Sequence, residues 1–261
     1  MNTDDSPQTV ETAHPESSPW LVLICAFNEG GRLAAQLAKF PPPAQRNYDV
    51  GVVDDGSTDG CADWKLLQAH GVRFLIRRKH NEGLSPAIRA GLRWVLDTSK
   101  YQGVVLMNGN NKDDPSAIPL FIQALEAGQA YVQGSRFARG GQAIRTPWMR
   151  FWAIRLVHAP LFSLAAGAWM TDTTNGFRAF RRDFLEDPRV HFDQERFRSY
   201  EVEQYLAWKA IRLGRRHCEI PVVREYPAPQ ARRPGGVTKI RPGIGHWQMI
   251  KPLLALLFRR Y

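Results

Sequence analysis

The stretch DVGVVDDGSTDG, residues 49–60, decides the fold class. An apolar run ends there at two adjacent acids, and a Gly-Ser turn follows at once. A strand that is buried on both faces reads as such a run, and ligands of an open α/β sheet bind at the carboxyl ends of its strands. We therefore predict a parallel strand over 49–55 that carries Asp54 and Asp55 into a ligand crevice. The alternative is that the two acids serve only the turn and a helix cap.

Predicted strands alternate with predicted helices on both sides of this stretch. The alternation predicts an α/β fold with a doubly wound, mostly parallel sheet and helices on both faces. The predicted strands are 21–26, 49–55, 72–76, 104–107, 130–135 and 218–223. The predicted helices are 30–39, one that contains Trp64 and is capped by Ser57 or Thr58, 84–97, 115–127 and 197–213, and the region 145–180 is predicted to be helical and amphipathic.

Composition and charge divide the chain into parts. It has 261 residues, of which 44% are hydrophobic, enough for one large domain with a core. The net charge is +10, although the first 18 residues hold four acids and no lysine or arginine. We predict a disordered tail over 1–18, one α/β domain over 19–225, and a basic loop with a C-terminal docking or membrane-proximal helix over 226–261. A basic C-terminal part favours an anionic partner, such as a phosphate ligand, a membrane surface or a nucleic acid.

Sequence patterns also indicate where the protein works. The N-terminus lacks the charged-then-apolar pattern of a signal peptide, and three cysteines without metal-like spacing fit a reducing cytosol. The longest weakly polar stretch, 156–170, is shorter than the roughly 20 residues that a membrane-spanning helix needs. Tryptophans interleaved with arginines over 145–169 suit either the core or a lipid headgroup zone. We expect a cytoplasmic protein that binds peripherally to the inner face of the cytoplasmic membrane.

Seven short motifs follow one another along the chain. They are ICAFNEG (24–30), VVDDGSTDG (52–60), NEGLSPAIRAG (81–91), VVLMNGNNKDDP (104–115), QGSRF (133–137), TDTTNGFRAFRRD (171–183) and CEIPV (218–222). Together they resemble the family 2 glycosyltransferases, and most of all the dolichol-phosphate mannose synthases and bacterial polyprenyl-phosphate glycosyltransferases. The resemblance covers about residues 20–250 and implies the GT-A fold, with a helical, basic C-terminal part.

The resemblance implies a role for each matching position. The nucleotide of a UDP- or GDP-linked sugar would be bound by Ala26, Asn28, Glu29, Asp54, Asp55, Asn81 and Gly83. Phosphate groups of donor and acceptor would be bound by Arg136, Arg150, Arg232, Arg233 and Lys239. The sugar or acceptor side would hold Asp172 and the turn 175–178.

The chemistry of the acceptor decides which catalytic groups are needed. A phosphate oxygen of a polyprenyl phosphate is already a nucleophile at neutral pH, so catalysis would consist of positioning and of stabilising charge on the departing diphosphate, with Arg136 as one such group. A saccharide hydroxyl would instead need a general base. Asp172 and Glu201 are the candidates for that base.

A divalent cation is the least certain part of the implied site. The family places an Asp-x-Asp pair for Mg²⁺ or Mn²⁺ where this chain has Asn108-Gly109-Asn110, and hard cations prefer charged oxygens. One alternative is that Lys112 supplies the positive charge in place of a metal. A second is that a metal still binds through Asn108 and Asn110, Asp113 or Asp114, and the diphosphate. A third is that donor activation is lost.

These observations predict an inverting hexosyltransferase of family 2, which moves a sugar from a nucleotide sugar to a polyprenyl phosphate in cell-envelope glycan synthesis. The enzymatic alternative is transfer to a saccharide acceptor in surface polysaccharide synthesis. The other alternative is a non-catalytic subunit that binds nucleotide sugars. A membrane surface or a membrane partner subunit is expected as partner. Nucleic acid is not, because no nucleic-acid-binding module is present in the sequence.

Overall fold

Parallel strand pairing dominates the centre of the fold. The computed structural model describes residues 9–228 and 244–258, and of residues 244–249 it describes the backbone. In these ranges one large sheet is built from β1 (Thr9–Thr12), β2 (Trp20–Ala26), β3 (Asp49–Asp54), β4 (Phe74–Arg77), β5 (Gly103–Asn108), β6 (Tyr131–Ser135), β8 (Arg178–Arg181) and β9 (His217–Pro221). Their order across the sheet is β1-β4-β3-β2-β5-β8-β6-β9. A separate parallel pair joins β7 (Gln142–Ile144) to β10 (Val223–Glu225).

The central strands form because their residues are apolar on both faces. Every residue of β2 and β3 is buried, and Ile24 of β2 is in register with Val52 on one side and Met107 on the other. β1 and β8 run against this direction: β1 pairs antiparallel with β4, and β8 lies antiparallel between β5 and β6. The sheet is therefore mixed but mostly parallel, as the sequence predicts.

Helices cover both faces of the sheet. They are α1 (Gly31–Leu37), α2 (Trp64–Ala69), α3 (Leu84–Thr98), α4 (Ile118–Glu126), α5 (Trp148–Ala153), α6 (Ala159–Ala166), α7 (Arg182–Leu185), α8 (Glu201–Arg212) and α9 (Ile244–Leu257). Side chains alternate along β2, so that Leu23 packs in the core beneath α3, α6 and α8, while Val22 packs in the core beneath α1, α2 and α4. This is the doubly wound arrangement.

The prediction of a disordered tail over 1–18 is wrong for residues 9–18. β1 pairs with β4 through Val10 and Ile76, and the backbone N–H of Ser17 donates to Asp49 Oδ2 at 3.0 Å. The tail is acidic and poor in apolar residues, so its own sequence carries no strand signal. It is ordered because it adds to the open edge of a sheet that is already formed.

Two predictions within the domain also need correction. The four-residue strand β8 lies at the end of the region 145–180, which was predicted to be helical, because a strand this short has too few residues to set a period. Helix α2 is capped by Asp63, whose Oδ1 accepts from the backbone N–H of Leu66 at 2.9 Å. The hydroxyl of Ser57 instead accepts from the backbone N–H of Asn28 at 2.9 Å, and both Ser57 and Thr58 precede the start of the helix by more than a turn.

One long helical segment lies between β7 and β8. It runs without a break from α5 through a π-helical turn at Ile154–His158 into α6. Gly167 ends it in a left-handed conformation. We call this segment, residues 148–166, the surface helix. None of the helices in the described ranges combines the length and the hydrophobicity that a membrane span requires.

Candidate active site

The carboxyl ends of four strands bring the predicted site residues to one edge of the sheet. β2, β3, β5 and β6 all run in the same direction, so the segments that follow them meet at that edge. These segments contain most of the positions to which the resemblance assigns a role. Arg232, Arg233 and Lys239 lie outside the described residues.

Asp55 ties the end of β3 to the loop before α3. Its carboxylate accepts from Arg78 Nη1 at 2.7 Å and from the backbone N–H of Gly83 at 2.9 Å. Burial raises the pKa of Asp55 to about 6, although the Gly83 N–H and the Arg78 charge oppose this rise. The predicted nucleotide-site positions 55 and 83 are therefore in direct contact, and Arg78 is a member of this cluster that the motifs did not indicate.

Asp54 is engaged by the neighbouring strand and by the turn that follows β3. It is fully buried and accepts from Arg77 Nη1 and from the Ser57 backbone N–H, both at 3.0 Å. The carboxylate thus holds the strand end and the Gly-Ser turn in place, which is the turn-holding role that the sequence left open. The contact of Asp54 with a nucleotide stays a prediction.

The segment after β2 wraps around the same turn. The backbone carbonyl of Ala26 accepts from the Asp55 N–H at 2.9 Å, and Oδ1 of Asn28 accepts from the Thr58 N–H at 2.8 Å. Asn28 has a left-handed backbone (φ 46°), which Asn tolerates better than most residues. Glu29 is buried and paired with Arg32 at 2.8 Å, and Asn81 is exposed at the rim. Ala26 and Asn28 therefore contact the turn after β3, and the contact of these four positions with a nucleotide stays a prediction.

Arg136 and Asp172 form a buried ion pair at the end of β6. Arg136 Nε and Nη2 donate to the two carboxylate oxygens at 2.6 and 2.8 Å, and Nη2 also donates to Thr174 Oγ1. Burial opposes the ionisation of Asp172, but Arg136 holds the pKa of that carboxyl below its usual range. Each residue was predicted to meet a ligand. In the fold they meet each other, and this pairing leaves the Arg136 fork largely engaged.

The acids near β5 are a poor set for a divalent cation. Asp113 is buried in an ion pair with Arg224, and Asp114 accepts from the Ser116 N–H as the cap of a 3₁₀ turn. The other oxygens in the predicted set belong to the neutral amides of Asn108 and Asn110. Among the described residues, no group of three or more His, Cys, Asp and Glu side chains has the arrangement of a metal site. The residues present therefore do not fit Mg²⁺ or Mn²⁺.

Lys112 lies in the crevice beside the Asp113–Arg224 ion pair. Its Nζ lies 4.6 Å from the centroid of the Tyr226 ring, and its carbonyl accepts from the Glu225 N–H at 2.8 Å. Burial lowers the pKa of Lys112 to about 7, and the charges of Arg224 and Arg150 act in the same direction. The loop after β5 is thus attached to β10, and the charges of Arg224 and Arg150 act on its one lysine.

Two functional candidates were missed or misplaced from sequence. Glu201 is buried at the start of α8, where its carboxylate accepts from the Ser199 N–H at 2.5 Å, so it serves the helix terminus. Glu203 instead lies near Asn108 at the end of β5. Both side chains pack against Gly176, since a Cβ atom built on that glycine would overlap the Asn108 amide and lie 2.9 Å from Glu203 Oε1. Burial raises the pKa of Glu203, an effect that Arg178 and Arg224 oppose. Glu203 therefore replaces Glu201 as the candidate acid of this helix.

An apolar pocket opens beside the Arg136–Asp172 pair. It has a volume of about 230 Å³ and is lined by Phe137, Trp152, Arg155, Leu156, Ala159, Trp169, Met170 and Thr171. Arg155 lies over the rings of Phe137 and Phe151, with its guanidinium 5.6 and 5.5 Å from their centroids. The outer rim is unusually apolar for a surface, since Trp148, Leu156 and Trp169 are 73%, 67% and 70% exposed.

Comparison with known proteins agrees with this arrangement. The chain is 30% identical over 207 residues to the undecaprenyl-phosphate mannosyltransferase of Micrococcus luteus, a match that covers 77% of this chain and 82% of that protein. It is 29% identical to the polyprenol monophosphomannose synthase of Mycolicibacterium smegmatis, with 77% and 76% covered.

Solved structures share the fold at lower identity. Glucosyl-3-phosphoglycerate synthase from Mycobacterium tuberculosis, in complex with Mn²⁺, UDP and glucosyl-3-phosphoglycerate, superimposes with a TM-score of 0.62 and 18% identity. The match covers 92% of this chain and 79% of that one. The predicted GT-A fold is thereby confirmed. Residues 21–188, most of the chain, match the family described as Glycosyl transferase family 2. The chain therefore belongs to the family 2 glycosyltransferases.

Proposed function

We propose that this enzyme transfers one sugar from a nucleotide sugar to a polyprenyl phosphate, in a single displacement with inversion. The observation that carries the proposal is the apolar pocket, which joins an exposed apolar surface to the charged end of β6. A polyprenyl phosphate has the matching chemistry, a long apolar chain with an anionic head. The named activities of the two bacterial relatives support the same class of acceptor.

The reaction needs little from the protein beyond position and charge. A phosphate oxygen of the acceptor attacks the anomeric carbon, and the bond from that carbon to the nucleoside diphosphate breaks. Negative charge then builds up on the departing diphosphate, where fixed cations stabilise it. Arg150 and Lys112 are suited to this task, since Lys112 contacts the Tyr226 ring and the charge of Arg150 acts on both residues.

The exposed apolar surface also supports a location at the membrane. The surface helix carries Trp148, Trp152, Leu156 and Val157 outwards, with arginines between them. This composition suits the boundary between headgroups and acyl chains, where tryptophan and arginine are both stable. We place the enzyme peripherally on the inner face of the cytoplasmic membrane, bound directly or with a membrane partner subunit, and working in cell-envelope glycan synthesis.

A saccharide acceptor is the second candidate. Glu203 favours it, because a buried carboxyl with a raised pKa beside the strand end is suited to general-base work on a hydroxyl. Replacing Glu203 with Gln distinguishes the two acceptors. Transfer to a hydroxyl should fall by about 10²-fold or more without the base, whereas transfer to a phosphate, which needs no base, should keep most of its rate.

The chain length of the acceptor tests the proposal. We expect a long polyprenyl phosphate to have a lower KM than a short prenyl phosphate, because its isoprene units contact the pocket. In Leu156→Ser the KM for the long acceptor should rise several-fold, while that for the short acceptor and for the nucleotide sugar should stay unchanged. Equal KM values for both acceptors, or faster transfer to a soluble saccharide, would contradict the proposal.

A further inference from the structure

The loop after β5 has the chemistry of an anion site rather than that of a metal site. Asn108 and Asn110 offer neutral oxygens, and the carboxylate of Asp113 is neutralised by Arg224. The Oδ1 atom of Asp113 is buried and has no hydrogen-bond partner among the described residues. A divalent cation bound to it would nevertheless lie beside the Arg224 guanidinium. This carboxylate oxygen is therefore in the wrong electrostatic surroundings for a metal.

Two cations lie beside this loop, and the charge of a third acts on the same place. Lys112 Nζ and Tyr226 are in contact, and Arg224 is fixed two residues before Tyr226 by Asp113 and by Asn175 Oδ1, which accepts from Nη1 at 3.2 Å. Arg150 on the surface helix influences the same place, since its charge acts on both Lys112 and Tyr226. Burial alone would raise the pKa of the Tyr226 hydroxyl, but the charges of Arg150 and Arg224 hold it below its usual value.

An anion would be stabilised by this arrangement. Lys112 Nζ lies over the Tyr226 ring, and Arg224, although paired with Asp113, is held two residues before that tyrosine. A diphosphate placed there would meet cationic N–H donors and neutral amides. Arginine and lysine also bind phosphate oxygens directly, without the ordered geometry that a divalent cation needs.

We propose that Lys112, with Arg150 and Arg224, takes the place of the divalent cation, so that this chain binds the nucleoside diphosphate of its donor without metal. The proposal rests on the proposed function, because it assumes that a nucleotide sugar occupies this crevice. It assigns to the donor site Arg224, which no sequence motif indicated and which Asp113 and Asn175 hold in place. Arg224 is held from β10, so the strand after the CEIPV motif becomes part of the donor site.

The experiment is calorimetric titration of the full chain with UDP and with GDP, first in EDTA and then in Mn²⁺. One nucleotide should bind in EDTA, and Mn²⁺ should change its Kd by less than about threefold. Lys112→Ala should weaken that binding at least tenfold, since a charge-assisted hydrogen bond contributes roughly that factor or more. Lys112→Arg should restore most of the affinity.

A matched control removes the same charge elsewhere. Lys100 is exposed and precedes β5, at the opposite edge of the sheet from the crevice. Lys100→Ala should leave the Kd unchanged, and equal melting temperatures for the two alanine variants would show that both are folded. Arg224 is left intact, because its removal would strand the buried charge of Asp113.

The remaining outcomes separate this inference from the proposed function. Binding that appears only with Mn²⁺, or that Lys112→Ala leaves unchanged, would overturn the inference while the nucleotide still binds as a transferase donor must. No binding of UDP or GDP under either condition would overturn the proposed function and the inference together.

Discussion

At the scale of single residues, buried ion pairs hold the crevice in shape. Asp172 receives three hydrogen bonds from Arg136, two from its guanidinium and one from its backbone N–H, and both residues are almost fully buried. A buried pair adds little net stability compared with apolar residues, but removing one partner leaves an uncompensated charge in the interior. The pair therefore holds the end of β6 and the segment around Asp172 in place beside the pocket.

Replacing Asp172 with Asn should lower the free energy of unfolding by about 3 kcal/mol, because the Arg136 charge would stay buried without its counter-charge. Urea denaturation measures this directly. Asp183→Asn is the control, since Asp183 pairs with Arg181 at the exposed surface at 3.0 Å, where loss of a pair costs under about 1 kcal/mol. A loss at Asp172 as small as that at Asp183 would mean that Arg136 is free to meet ligand.

The pKa of Asp55 predicts a pH dependence of stability. Burial raises the pKa of this carboxyl to about 6 in the folded chain, above its value of 3.8 in an unfolded one. The folded state then binds the proton more tightly, so the stabilising contribution is present at low pH and is lost as the pH rises through 6. Between pH 7 and pH 4.5 the wild type should gain about 2 kcal/mol relative to Asp55→Asn, at about 1.36 kcal/mol per pKa unit.

Urea denaturation of both proteins across that range measures the difference, and other carboxyls cancel because they are common to the two. The direction in which the stability difference between wild type and Asp55→Asn changes with pH decides the outcome. Stability curves that run parallel would show that Asp55 has an ordinary pKa. A wild type that loses stability relative to the variant on acidification would show that the Arg78 pair outweighs burial.

At the scale of elements, the surface helix carries most of the large exposed apolar side chains among the described residues. Its outward apolar residues bury little against the rest of the chain, and Trp152 and Leu156 lie on the rim of the pocket. Transfer of an exposed leucine or tryptophan side chain into a bilayer interface gains roughly 1.5–3 kcal/mol for each one that is fully buried. A few such residues therefore decide whether the protein binds a membrane.

We expect the double variant Trp152→Ser with Leu156→Ser to lose at least about tenfold in its partition onto anionic lipid vesicles, measured by co-sedimentation. Nucleotide binding should be unchanged, because neither residue lies among the strand ends of the donor side. Leu120→Ser is the control: Leu120 is 44% exposed on α4, which packs on the other face of the sheet. Vesicle binding that the double variant retains in full would remove the surface helix from the membrane interface.

Elements with their own periodic or apolar signal were predictable from sequence. β2, β3 and β5 are continuous apolar runs, and each was placed close to its observed bounds. β8 was not predicted, because its four residues form a strand only by pairing with two neighbours that are distant in sequence. β1 was missed for the same reason, as its strand conformation comes from the edge of β4. Local sequence cannot report such long-range pairing.

The site residues likewise divide into those that could be predicted from sequence and those that could not. The positions of Asp55 and Lys112 followed from motifs at strand ends, where chain direction alone sets the location. The Asp113–Arg224 and Arg136–Asp172 pairs did not follow, because their members are 111 and 36 residues apart in the chain. Sequence selected Glu201 rather than Glu203 as the candidate acid, and two residues along a helix turn a side chain to a different face. Side-chain partners therefore needed the fold.

At the scale of the whole molecule, the sheet places two chemically different regions side by side. The strand ends form a charged crevice, and the surface helix presents an apolar face; we propose the first for the anionic donor and the second for a lipid acceptor. The Arg136–Asp172 pair lies between them, next to Thr171 of the pocket wall. A reaction between a soluble nucleotide sugar and a membrane-bound phosphate requires such a juxtaposition.

The most direct test incubates the purified chain with UDP- and GDP-linked hexoses and a polyprenyl phosphate, and analyses the organic extract by mass spectrometry. We predict a lipid product heavier than the acceptor by one hexose residue, formed in equal amount to the nucleoside diphosphate released. Formation of product should continue in EDTA. Nucleotide sugar that binds but yields no lipid-linked sugar, while a saccharide in the same mixture is elongated, would contradict the central claim.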